Sequence, residues 1–246
     1  MTADSEDIAT TTSKACLMTR QTILHIDSSA RQGISGHQPH GSHTRRLSRR
    51  FVEHWRALRP ADQVLYRDVA SNAPAFVTED WVAAAFTPSS ARTPAMHDRL
   101  AESDALVDEL MSADLVVIGV PMYNFGVPAT LKAYIDNIVR VGRTFGFDRQ
   151  RTGEPYWPML SSLGKRLVLL SSRGDSGYGE GERLGRSNHV EPAVRAAFAY
   201  IGIDAVNTVA VEFDEFGDER LTASLVAAEM QIDELVRALA DGQRPA

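Results

Sequence analysis

Three short stretches carry residues whose types and spacing suit chemistry. The first is Pro121-Met122-Tyr123-Asn124-Phe125-Gly126-Val127-Pro128, placed between an apolar run at 115–120 and a helical pattern of Leu131, Ile135, Ile138 and Val139. Met122, Tyr123, Asn124 and Phe125 offer a thioether, two rings and an amide without charge. That surface suits a flat, polarisable heteroaromatic ligand better than a phosphate or a sugar. The second stretch is Ser28-Ser29, followed at the start of the next helix by Ser42-His43-Thr44. Hydroxyls beside free helix amides make an anion site, although Ser and Thr serve equally as plain N-caps. The third is Ser171-Ser172-Arg173-Gly174-Asp175, a polar glycine turn after an apolar strand. It could present amides to a ligand edge, or be an ordinary turn with an exposed arginine.

The elements needed to hold these loops are legible as an α/β alternation. Strands are expected at 22–26, 64–67, 115–120, 166–171 and 206–212. Helices are expected at 43–58, 81–86, 94–111, up to 141, 191–201 and 221–239. Five strands alternating with helices imply a doubly wound parallel sheet, with 2-1-3-4-5 as the default order and a crevice where strands one and three diverge. The three loops follow strands one, three and four, so they converge there. Pro128 fits the first turn of the helix after strand three. Residues 1–20 are polar and aperiodic and read as a disordered extension, leaving 21–246 as one domain.

Composition bounds the function. The chain has 246 residues, 43% hydrophobic and 24% charged, with a formal net charge of −6, which disfavours bulk nucleic-acid binding. No apolar run reaches transmembrane length and no signal peptide is evident, so a cytoplasmic protein is expected. The single cysteine, Cys16, permits no internal disulfide. His37, His40 and His43 invite a metal, but no fourth ligand is apparent and a polar surface loop accounts for them; no metal is expected. No Gly-x-Gly-x-x-Gly follows strand one, and neither a P-loop nor a Gly-x-Ser-x-Gly elbow occurs.

The loop from Pro121 to Lys132 resembles the flavin-contacting loop of the FMN-dependent NADH-azoreductases and quinone reductases, a flavodoxin-like family. Other segments extend the resemblance over residues 20–240. Ser29, Ser42 and Thr44 match the family's phosphate-binding serines, with Thr44 in place of the last and an insertion within 31–41. Ser172-Arg173-Gly174-Asp175 matches its Ser-Arg-Gly-Gly, with Asp175 replacing glycine. Arg140-Val141-Gly142-Arg143-Thr144-Phe145-Gly146-Phe147 matches its Arg-x-Gly-x-Thr-Phe-x-Tyr, with Phe147 at the tyrosine.

The resemblance implies bound FMN reduced by NADH or NADPH, and ping-pong two-electron transfer to quinones or azo compounds by a homodimer with interfacial active sites. It assigns FMN contacts to Ser29, Ser42, His43, Thr44, Met122, Tyr123, Asn124, Phe125, Ser172, Arg173, Gly174 and Asp175. Phe147 and Tyr178, the latter in a glycine-rich flap, would line the substrate pocket, and no protein acid or base is assigned. A carboxylate at Asp175 would disfavour negative charge on the flavin's N1/O2 edge. The alternatives are a flavodoxin-like electron carrier, which would lack the 142–147 and flap segments, and a related FMN or chromate reductase.

Overall fold

Buried central strands lie at the heart of the computed structural model, which describes residues 19–242. Cys16 and nearly all of the extension expected at 1–20 lie outside the described residues. In chain order the elements begin β1 (Thr22–Asp27), α1 (His43–Leu58), β2 (Gln63–Asp68), α2 (Glu79–Phe86), α3 (Pro94–Ser112), β3 (Leu115–Pro121) and α4 (Ala129–Ile138). They continue as β4 (Phe145–Phe147), β5 (Tyr156–Pro158), β6 (Arg166–Ser172), α5 (Glu191–Ile201), β7 (Ala205–Val211) and α6 (Glu219–Ala240). Five strands form a parallel sheet in the order β2-β1-β3-β6-β7. Every residue of β3 is buried, as expected for a central strand covered on both faces, while the edge strand β2 has none fully buried.

Alternation along the strands divides the core. Leu24, Ile26, Val116, Ile118, Leu167 and Leu169 pack under α3, α4 and α5, among Leu106, Tyr134 and Phe198. Ile23, Leu115, Val117, Val168 and Leu170 pack on the other face against Phe51 and Trp55 of α1 and Ile232 and Val236 of α6. Side-chain caps start the helices: Ser42 for α1, Thr78 for α2, Thr93 for α3 and Asp218 for α6. Pro128 stands just before α4, at its N-cap, rather than within its first turn.

The sheet differs from the sequence expectation in one respect. The strands expected fourth and fifth are β6 and β7, because an antiparallel pair, β4 with β5, intervenes outside the main sheet. Three-residue strands give too short a pattern to declare themselves. α4 also ends at Ile138, short of 141, because the next turn closes on itself. The Arg140 carbonyl accepts from the amides of Arg143, Thr144 and Phe145, and Thr144 Oγ1 accepts from Arg140 N while donating to the Ile138 carbonyl. The Arg-x-Gly-x-Thr-Phe stretch is thus the hinge that launches the hairpin. Gly142 takes φ +72°, and the fully buried Arg140 stacks on Trp81 and donates to Ser103 Oγ.

Candidate functional site

A cleft of about 310 Å³ opens at the carboxyl ends of β1, β3 and β6. Its lining includes Ser29 from the loop after β1, Ser42 and His43 at the amino end of α1, Pro121, Met122, Tyr123 and Asn124 after β3, and Ser172 and Gly174 after β6. Eight of the twelve residues expected to touch the cofactor therefore meet here.

The loop after β3 is built as a clasp. Tyr123 and Gly126 exchange both backbone hydrogen bonds, at 2.9 and 3.0 Å, around Asn124 and Phe125, whose φ angles are +48° and +69°. This is the geometry of a two-residue type I′ turn, which aims both side chains outward. Its neighbours anchor it: Met122 N donates to the Ser172 carbonyl, and Ala30 N donates to the Tyr123 hydroxyl across the crevice. His189 N, at the far end of the flap, donates to the Phe125 carbonyl. One turn therefore links the loops after β1, β3 and β6.

The other end of the cleft suits an anion. Ser42 Oγ caps Arg45 N, while the amides of His43 and Thr44 at the helix start have no intrahelical acceptor. The loop leading there is held by Arg45, whose guanidinium donates to the carbonyls of Ser29 and Arg31, both at 2.9 Å, and pairs with Asp68. Burial opposes the charge on Arg45, but the hydrogen bond to Asp68 and the charges of Asp27 and Asp68 outweigh it and raise its pKa. An orphaned buried atom, His43 Nδ1, lies among these groups. A dianion at α1 beside a planar ring at Met122–Asn124 fits this donor set.

Four of the expected contacts lie elsewhere. The Thr44 side chain is buried behind the cleft, its hydroxyl bonded to Ser42 Oγ. Phe125 is half exposed on the tip of its turn. Arg173 turns inward instead of projecting into solvent; its Nη2 lies 2.6 Å from Glu191 and its Nη1 3.3 Å from Glu212. Burial pushes the Glu191 carboxyl up, but Arg173 beside it and the hydroxyl of Ser171 hold it below the usual range. Asp175 does not reach the cleft wall; it pairs with Arg183 at 2.7 Å and accepts from Ser176 N, which lowers its pKa.

Neither expected substrate residue lines the cleft. Tyr178 is buried under the Arg173 guanidinium, its carbonyl bound by Asn188. Phe147 stacks on Tyr156 in the hairpin, and Tyr156 and Phe145 lean on Tyr200 in the last turn of α5. That turn leads into the amino end of β7, the opposite end of the sheet from the cleft.

Three cleft residues escaped the sequence reading: Arg31, Asp214 and Glu215. Asp214 and Glu215 follow β7, and no spacing signal ties them to loops far away in sequence. Their amides donate to the carbonyls of Arg173 and Gly174, which binds this segment to the turn after β6. Burial opposes ionisation of Asp214, but the hydrogen bond and charge of His43, with Arg31 nearby, hold its pKa below the usual carboxylate range. Among the described residues no group of His, Cys, Asp or Glu is arranged to hold a metal ion.

Comparison with known proteins agrees with this geometry. A family model described as a flavodoxin-like fold matches residues 21–236. The FMN-dependent NADH:quinone oxidoreductase 2 of Idiomarina loihiensis is 44% identical over 84% of this chain and 85% of its own length. The FMN-dependent NAD(P)H:quinone oxidoreductase 1 of Pseudomonas aeruginosa is 43% identical over 80% of this chain and 92% of its own. The FMN complex of an FMN-dependent NADH-azoreductase from Bacillus anthracis superposes with a TM-score of 0.75 at 18% identity, covering 89% of this chain and 99% of that one. With a family model matching most of its length and relatives more than 40% identical over four-fifths of it, the chain belongs to the flavodoxin-like family that includes the FMN-dependent NADH:quinone oxidoreductases.

Proposed function

We propose that the protein is an FMN-dependent oxidoreductase that uses NADH or NADPH to reduce quinones and azo compounds. The observation that carries this reading is the union, in one cleft, of an anion-suited helix start and the uncharged Met122-Tyr123-Asn124 wall. FMN, when bound, supplies two-electron hydride transfer between the nicotinamide and the acceptor. The amides of His43 and Thr44, with the hydroxyls of Ser29 and Ser42, would hold the phosphate. Asn124 and the backbone of the Ser172–Gly174 turn would orient the ring edge, with Met122 and Tyr123 packed along it. No side chain is assigned as acid or base. With the anion end and the ring wall in one cleft and no second dinucleotide fold among the described residues, nicotinamide and acceptor take turns there, which is ping-pong behaviour.

A homodimer completes the reading. Phe147 sits at the end of the five-stranded sheet opposite its own cleft, so a partner's hairpin is the route by which it would line a substrate pocket. Large apolar side chains remain exposed, among them Phe76, Phe86 and Phe125, and would suit such an interface. Within the described residues no helix is long and apolar enough to cross a membrane, and we place the enzyme in the cytoplasm, with residues 21–246 as its oxidoreductase domain. The test is an ultraviolet–visible spectrum of the purified protein with added FMN, before and after anaerobic NADH. A bound flavin spectrum that bleaches on addition of NADH is expected; failure to bind FMN would remove the reading.

A further inference from the structure

The anion-suited end of the cleft carries an opposing charge. Asp214 Oδ1 lies 3.3 Å from His43 Nε2 and 3.7 Å from Arg31 Nη1, so one carboxylate faces both the histidine and the arginine of the cleft. Glu215 adds a second carboxylate to the same wall. The lining sets one arginine and one histidine against two acids. The carboxylate is placed by the fold, because Asp214 N is bound to the Arg173 carbonyl at 3.0 Å. Its side chain is about four-fifths buried, so solvent screens it only in part.

We propose that Asp214 is an affinity-setting residue that competes with the FMN phosphate for Arg31 and His43. The proposal rests on the FMN reading above and adds what that reading lacks: a reason for acids in a phosphate-binding cleft. A phosphomonoester dianion entering beside Ser29 and Ser42 meets hydroxyls and amides that attract it and a carboxylate that repels it. It also finds Arg31 already paired. The cofactor is thereby held less tightly than the same cradle would hold it with Arg31 and His43 free, and it exchanges with the free pool. Riboflavin, which has the ring but no phosphate, would be indifferent to Asp214.

The experiment titrates FMN and riboflavin separately into the unsubstituted apoprotein and into Asp214→Asn, following flavin fluorescence at low salt. Asparagine preserves the side-chain shape and the backbone bond, and thermal melting checks that the fold is retained. FMN should bind the variant about tenfold more tightly, the scale of one like-charge contact near a protein surface, with riboflavin affinity unchanged. The gain should shrink when Arg31→Gln is also present, because the released cation is then missing. Unchanged or weaker FMN binding in the folded variant would overturn the proposal, as would equal tightening of both flavins. If the unsubstituted protein binds riboflavin but not FMN, competition at the phosphate is refuted while a flavin site survives. If it binds neither, the cofactor reading falls and takes the proposal with it.

Discussion

Arg45 Nη2 donates to the carbonyl oxygen of Ser29 at 2.9 Å, so a side chain on α1 fixes the backbone of the loop that precedes it. Its Nε does the same for the Arg31 carbonyl, and Asp27, Tyr66 and Asp68 surround the rest of the guanidinium. Arg45→Met would leave Asp27 and Asp68 without their main cation, a loss of about 3–5 kcal/mol for a buried pair. Arg45→Lys keeps the charge but not the fork that reaches both carbonyls. It should cost less stability and still weaken FMN more than riboflavin. Urea denaturation and paired flavin titrations measure the two effects; equal weakening of both flavins would show that Arg45 does not act through the phosphate loop.

Phe125 occupies the left-handed region at φ +69°, where a non-glycine residue stores about 1–2 kcal/mol. Phe125→Gly should therefore leave stability unchanged or slightly raised, because relief of strain offsets the greater freedom of the unfolded chain. Phe125→Val, β-branched, should destabilise by at least about 1 kcal/mol. If the two variants unfold at the same urea concentration, the turn does not hold this conformation in solution.

Gly146 faces Trp157 so closely that a Cβ would lie 2.0 Å from the indole. Gly146→Val should unpair β4 from β5 and displace Phe147 while sparing the cleft at the other end of the sheet. FMN affinity should stay unchanged, whereas the KM for quinone should rise if a partner's hairpin lines the substrate pocket. Size-exclusion chromatography with steady-state kinetics separates the outcomes. An unchanged KM in a folded dimer would deny Phe147 any part in substrate binding.

What the sequence disclosed depended on the range of each signal. The buried run of β3, the amphipathic face of α1 and the Ser42 cap are local patterns, and their elements appear close to where periodicity placed them. Tyr123 and Asn124 could be placed on the cleft because their loop directly follows β3 and carries its own chemistry. Residues whose orientation depends on distant partners were not legible. Arg173 points inward because Glu191 and Glu212 wait there, and Asp175 turns aside to Arg183. Asp214 and Glu215 enter the cleft only because β7 lies beside β6, a neighbourhood created by the sheet.

The Glu191 carboxyl is held below its ordinary range in the folded protein by Arg173 and the Ser171 hydroxyl, despite burial. A depressed folded-state pKa contributes stability that is fully present above the unfolded glutamate value of about 4.3 and disappears as pH falls through the folded value. Glu191→Gln should remove that contribution at neutral pH. The cost should be near the lower end of the roughly 3–5 kcal/mol for breaking a buried pair, since Glu212 still faces Arg173. The difference between variant and parent should then narrow below pH 4.3. Denaturation midpoints from pH 3 to 8 test the sign; a gap that widens on acidification would contradict it.

The carboxylate that bears on the flavin edge should be Glu215 rather than Asp175. A Cβ on Gly174 would lie 2.6 Å from the Glu215 carboxyl carbon, so that side chain covers the turn expected to face N1 and O2. Asp175, by contrast, is matched by Arg183 at 2.7 Å and lies off the cleft wall. Reduction places negative charge at the ring edge, so a nearby carboxylate disfavours it and lowers the midpoint. Two unit charges a few ångströms apart interact by about 1–4 kcal/mol between the dielectrics of water and a protein surface, and an open cleft favours the lower end. One kcal/mol over a two-electron couple is roughly 20 mV, from the conversion of 30 mV for 1.4 kcal/mol. Glu215→Gln should therefore raise the FMN midpoint by about 20 mV, while Asp175→Gly should leave it in place. Faster reduction by NADH and slower transfer to weakly oxidising azo dyes should accompany the first change and not the second. Spectroelectrochemistry of both variants at neutral pH makes the comparison. A shift in Asp175→Gly with none in Glu215→Gln would show that the ring edge faces the flap side of the turn instead.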